Sequence, residues 1–153
     1  MSKGSARVPG QTLTVSEWVF EHTVEARVTP EAAWAFWTTV SNWAFDTSLE
    51  SVMLDGPFMA GAKGVTILSG GQALEWRIRD ASPGHAIIEM QIPGAVVAFQ
   101  WTFLPGEGGT RITQRVTLSG PGAGQHIGVA ESQLAVGIPQ GMRKLAELME
   151  QAS

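Results

Sequence analysis

The chain has 153 residues, ten Lys and Arg against fourteen Asp and Glu, a formal net charge of −4 and no cysteine. At this length one domain with a real core is expected, with roughly 68–70% of the unfolded surface removed on folding. The charge balance offers no basic field for nucleic acid and no polybasic patch for an anionic membrane, and the absence of cysteine excludes disulfides, thiolate metal ligands and cysteine nucleophiles, which suits a reducing cytoplasm.

Residues 1–14 read as a mobile arm ahead of a single domain at 15–153. Met1 to Gln11 is polar, holds Gly4, Pro9 and Gly10, and carries no motif. It has no continuous apolar stretch of the signal-peptide kind, and no apolar run in the chain is long enough to cross a bilayer, so neither a signal peptide nor membrane insertion is expected. From Trp18 to Val28 the pattern alternates, with Phe20, His22, Val24, Ala26 and Val28 on one side and Glu21, Thr23, Glu25 and Arg27 on the other. That is a half-buried strand. Thr29-Pro30-Glu31 then supplies an N-cap, a proline at the first helical position and an acid that suits the helix dipole. A short helix through Val40 follows, burying Ala33, Trp37 and Val40 with Trp34 or Phe36 at the margin. A second short helix or turn is expected through Asn42, Trp43 and Phe45.

From Leu49 onward, short extended runs are separated by Gly and Pro at regular intervals, the pattern of an antiparallel meander. The runs are Leu49 to Asp55, Gly64 to Leu68, Gln72 to Ala81, His85 to Ile92, Val96 to Leu104 and Thr110 to Ser119. With the first strand, they make seven strands in one curved sheet. Parity places Trp76, Ile78, Ile88, Met90, Phe99, Trp101, Ile112, Gln114 and Val116 on the inward face, and Glu75, Arg77, Arg79, Glu89, Gln91, Arg111 and Arg115 on the solvated one.

Gln125 to Glu150 reads as one long amphipathic helix. Ile127, Ala130, Leu134, Ile138, Met142, Leu145, Leu148 and Met149 share a face, opposite Arg143, Lys144, Glu147 and Glu150. Pro139 removes one backbone donor and crowds the carbonyl four residues back, which predicts a bend around Ala135 to Pro139.

The order of strand, two short helices, six-strand meander and long terminal helix resembles the α+β helix-grip fold of the START-like (SRPBCC) superfamily. That superfamily includes polyketide cyclases and dehydrases and the birch pollen allergen family. The residues that carry the likeness are Val28 to Trp34, Asn42-Trp43, Leu54-Asp55-Gly56-Pro57 with Gly61 and Gly64, Gly109 to Thr113, and Leu145-Ala146-Glu147-Leu148. The chain is most similar to the bacterial single-domain polyketide cyclase and dehydrase group. The resemblance implies a cavity between sheet and helix, opening near the loops and the first half of the helix.

Two titratable residues are candidates for acid/base work. His22 lies on the apolar side of the first strand, either as a core histidine bonded to a neighbouring strand or helix, or as a donor or acid/base in the cavity. Glu131 shares the helical side of Ile127 and Leu134, either favouring the helix dipole in a first turn or reaching into the cavity as a carboxylate. Gln114, the one clearly polar residue on the inward face of the last strand, has no titrating proton and would orient a ligand. Trp43, Met53, Trp76, Met90, Phe99, Trp101, Ile127, Leu134 and Ile138 complete the expected apolar lining. His126 is either a lid residue or a solvated loop histidine.

Three histidines without metal-ligand spacing, no phosphate-cradling loop ahead of a helix and no Gly-x-Ser-x-Gly elbow lower the priority of metal, nucleotide and serine-hydrolase chemistry. Neither a metal nor another cofactor is expected. The leading expectation is a cytoplasmic monomer or homodimer that binds a small hydrophobic or aromatic molecule, lipid- or polyketide-like. The rivals are a cyclase or dehydrase type of enzyme using His22 or Glu131, and a protein-interaction module like the superfamily members that act on chaperones.

Overall fold

A computed structural model describes residues 17–45 and 49–153. The expected arm at 1–14 lies outside the described residues. Seven strands form one antiparallel sheet: β1 (Glu17–Ala26), β2 (Leu49–Asp55), β3 (Lys63–Leu68), β4 (Ala73–Ser82), β5 (His85–Ile92), β6 (Ala95–Gly106) and β7 (Gly109–Ser119). Their order across the sheet is β1-β7-β6-β5-β4-β3-β2, so the meander pairs in sequence and the first strand closes beside the last. This is the seven-stranded helix-grip arrangement expected from the sequence.

Between β1 and β2 run α1 (Pro30–Thr38) and a 3-10 helix at Val40–Phe45. Thr29 is extended, and its Oγ1 accepts from the Ala32 N–H at 3.1 Å, with Pro30 opening the helix and Glu31 in its first turn. The cap, the fixed proline φ and the acid therefore act together to start α1 here. Thr110, fully buried on β7, donates its hydroxyl to the Val28 carbonyl at 2.7 Å and fixes the chain between β1 and α1 to the sheet.

The C-terminal helix is built in three parts: α2 (Ile127–Val129), a π turn at Ala130–Leu134 and α3 (Ala135–Ala152). The π turn stands just ahead of Ala135 to Pro139, the segment where a bend is expected, and α3 runs through Pro139. A wider turn just before the proline changes the hydrogen-bond register, and such turns recur beside functional sites.

Both ends of this helix are tied to the sheet. At its start, His126 Nε2 donates to the Pro93 carbonyl at 2.8 Å and Gln125 Nε2 donates to the same oxygen at 3.3 Å. His126, half-buried at the helix entrance, thus tethers the helix to the turn between β5 and β6. Gly94, at φ 73°, and Gly122 meet backbone to backbone, the Gly122 N–H donating to the Gly94 carbonyl at 2.8 Å. A Cβ on Gly122 would stand 3.0 Å from Gly94 Cα, so this approach needs glycine. At its end, Glu150 Oε2 accepts from the Arg27 N–H at 2.8 Å and lies 3.7 Å from the Arg27 Nε.

Two apolar cores lie between sheet and helix. The first gathers Trp37, Trp76, Ile78, Phe103, Ile112, Met142, Leu145 and Met149; the second gathers Val97, Val116, Leu118, Ala123 and Ala130. Met90, Phe99 and Ile138 pack against both.

Candidate functional site

The junction of the two cores is where the helix-facing surface departs from plain packing. Along β7, Ile112 belongs to the first core and Val116 to the second, and Gln114 lies between them. Its side chain is on the inward parity of the strand and the residue is only 6% exposed. Antiparallel register sets Trp101 of β6 on one side of Gln114 and His22 of β1 on the other. Trp101 at this level and Phe99 one inward step along β6 are part-exposed, as are Met90 and Ile138, which pack against both cores, although Ile88, Val97, Phe103, Ile112 and Val116 are buried. Inward residues of central strands normally lose their water, so these positions keep apolar surface that a further group could cover.

The carboxamide of Gln114 has no hydrogen-bond partner among the described residues, and neither has the His22 ring, which is half-buried. A core histidine bonded to a neighbouring strand or helix is therefore not what the structure contains. The other two inward polar groups near the cores are satisfied: Thr66 Oγ1 accepts from Trp76 Nε1 at 2.9 Å, and Thr110 bonds the Val28 carbonyl. Leaving a buried amide unpaired costs about 1–3 kcal/mol, so Gln114 is a destabilising choice unless something else completes it.

The remaining expected lining residues divide. Ile127 and Leu134 are part-buried against the second core, at the first turns of the helix. Trp43 is part-buried, with Nε1 donating to the Trp37 carbonyl at 2.7 Å and its ring 5.4 Å from that of Trp76. Trp76 lies over Gly64, where an added Cβ would overlap its ring, and its indole N–H is used by Thr66. Trp76 is 8% exposed and packs within the first core.

Two residues are corrected outright. Met53 is 63% exposed, because Val52 and Leu54 take the inward positions of β2 and alternation sends Met53 to the other side. Glu131 is exposed on the π turn, where buried Ala130 takes the sheet-facing position beside it. Neither reaches the junction, and a carboxylate in the apolar interior has no support from its placement.

Five tryptophans form one connected group: Trp37 is 4.9 Å from Trp101, 5.6 Å from Trp43 and 5.7 Å from Trp34, and Trp76 joins through Trp43. Phe58, from the turn that begins at Gly56-Pro57, closes the group against Trp34 and Trp37 at 6.0 and 5.2 Å. The sequence reading does not include Phe58; an aromatic residue within a Gly- and Pro-rich turn was the available signal. Trp101 is the member of the group that borders the junction, with Gln114 across the strand pair.

A groove of about 410 Å³ lies on the opposite face of the sheet, lined among others by Arg79, Ile87, Glu89, Gln100 and Arg115. Its charges are matched within the protein: Glu89, the half-buried exception on a face otherwise expected to be solvated, pairs with Arg79 at 3.0 Å and Arg77 at 3.3 Å. No unpaired buried group points into it comparable to Gln114. Among the described residues no cluster of His, Asp and Glu suited to a metal ion is present, and no helix is long and apolar enough to cross a membrane.

A family described as polyketide cyclase / dehydrase and lipid transport matches residues 17–150. The chain belongs to this family. Several proteins of known structure share its fold at low identity. Norcoclaurine synthase from Thalictrum flavum is 12% identical, with 93% of this chain and 100% of that one covered at a TM-score of 0.71. The di-domain ARO/CYC StfQ from the steffimycin biosynthetic pathway is 10% identical, with 89% of this chain and 52% of that one covered at a TM-score of 0.71. A protein from Rhodobacter sphaeroides is 20% identical, covering 92% of this chain and 100% of that one at 0.69. At these identities the likeness establishes the fold and not the ligand. No curated protein matches the sequence.

Proposed function

We propose that this polyketide cyclase / dehydrase family protein binds a small hydrophobic or aromatic molecule between the helix-facing side of the sheet and the C-terminal helix. The observation that carries the reading is Gln114: a buried, unpartnered amide beside the part-exposed inward rings of Phe99 and Trp101. A ligand there covers Phe99 and Trp101 and completes the amide. Burying their exposed apolar surface contributes about 25 cal/mol per Å², and the bond to Gln114 adds orientation. The family description and the fold shared with norcoclaurine synthase and the ARO/CYC StfQ agree with this reading. Absence of cysteine agrees with a cytoplasmic setting. A thermal-shift and native mass-spectrometry panel of lipids, polyketide-like compounds and flat aromatics tests it. Binders should raise the melting temperature, and silence across the panel would contradict the proposal.

One observation favours a second reading, in which the bound molecule is turned over. His22 has no partner and stands across the ladder from Gln114, so its ring is free to exchange a proton with a molecule held there. With Glu131 on the surface, His22 is the one titratable group proposed for that role. Loss of turnover in His22→Gln with retained binding would support it.

A further inference from the structure

We infer that the ligand of this site is uncharged, with a flat aromatic body and a single hydroxyl or carbonyl end read by Gln114 with His22. The inference rests on the proposal that the junction binds a small molecule, and narrows which molecules it accepts. Alternation sends the charged residues of β1, β4, β5 and β7 to the opposite face, where Glu21, Glu25, Arg77, Arg79, Glu89, Arg111 and Arg115 pair among themselves. On α3, Arg143, Lys144 and Glu147 are exposed, and Glu150 is held by Arg27. Among the described residues, then, no carboxylate, ammonium or guanidinium lies on the helix-facing side of the junction.

A carboxylate, phosphate or ammonium ligand would have to lose its water there with no counter-charge, a penalty that a few apolar contacts do not offset. A hydroxyl or carbonyl meets the opposite situation. Gln114 presents two N–H donors and an acceptor oxygen, and a neutral imidazole presents one of each. Neither side chain has a hydrogen-bond partner among the described residues, so a polar end arriving at this level removes the cost of the unpaired Gln114 amide as well as making a new bond. The part-exposed rings of Phe99 and Trp101, successive inward residues of β6, give the body of the ligand an aromatic surface.

The test uses one ring system with three ends: naphthalene, 2-naphthol and 2-naphthoate, titrated into the wild type and Gln114→Leu. The wild type should bind 2-naphthol at least about tenfold more tightly than 2-naphthoate. Gln114→Leu should weaken 2-naphthol by at least about fivefold, strengthen naphthalene, and melt no lower than the wild type when empty, because the unpaired amide is gone. Gln114→Met provides the same comparison through an unbranched side chain if the leucine variant does not fold. Equal binding of 2-naphthoate and 2-naphthol would overturn the charge selection while leaving a binding site in place. Unchanged 2-naphthol affinity in the variants would overturn the role of Gln114. Binding of none of the three by the wild type would overturn the site and the selection together.

Discussion

Gln114 of β7 stands directly across the ladder from His22 of β1, and neither side chain has a hydrogen-bond partner among the described residues. Both occupy inward positions between two apolar cores, where every neighbouring polar group has been paired. The buried amide of Gln114, left unpaired, is costly for folding alone, and the half-buried His22 ring beside it is open to a partner. Their pairing with an incoming molecule is the physical basis of the functional reading.

His22 is expected to contribute to binding through hydrogen bonding and to any chemistry through its proton. Replacement by Gln retains a donor and an acceptor, so affinity for 2-naphthol should stay within about threefold, while His22→Leu should lose about fivefold or more. Isothermal titration of both variants checks this. Equal loss in the two would point to shape rather than to hydrogen bonding.

Gly64→Ala should be among the more destabilising single changes in the sheet, by about 1–3 kcal/mol from overpacking. Its Cβ would enter the Trp76 ring, which is held over the glycine by the bond to Thr66. In Trp76→Leu the same glycine substitution should cost less, since the overlapping ring is absent. Chemical denaturation of the two singles and the double gives this coupling directly.

Trp37 and Trp101 touch, at 4.9 Å between ring centres, yet should respond differently to truncation. Trp37 is 3% exposed at the centre of the aromatic group, so Trp37→Ala should cost about 3–5 kcal/mol. Trp101 is part-exposed at the junction, and Trp101→Ala should cost less stability but remove most of the affinity for a flat aromatic. Melting curves and titrations on the same two variants separate the effects.

At the far end of the helix, Glu150 accepts from the backbone N–H of Arg27 at 2.8 Å, closer than it lies to the guanidinium Nε at 3.7 Å. Glu150→Ala should therefore destabilise by about 1 kcal/mol, while Arg27→Ala, which keeps the backbone donor, should cost less than about 0.5 kcal/mol. Reversal of that order in denaturation experiments would assign the anchor to the side-chain charge.

The architecture was legible because each element carries its own signal. Thr29-Pro30-Glu31 starts α1 where the cap rule puts it, and alternation from His85 to Ile92 reproduces β5 residue for residue. The inward parity of Gln114, Phe99 and Trp101 followed from the same periodicity, so the heart of the candidate site was readable. Other features depend on neighbours distant in sequence. Met53 looked inward among apolar residues of β2, but the strand turns Val52 and Leu54 to the core. Glu131 looked inward on a regular helical wheel, and the π turn at Ala130–Leu134 breaks the wheel at that residue. The tether from His126 to Pro93 joins residues 33 apart, and no local pattern encodes it.

The most direct test is an amide and methyl NMR titration of the full chain with 2-naphthol. Shift changes are expected to centre on His22, Phe99, Trp101, Gln114 and Ile138, with the opposite-face residues Arg79, Glu89 and Arg115 unmoved. Changes confined to Arg79, Glu89 and Arg115, or no change at saturating 2-naphthol, would contradict the account.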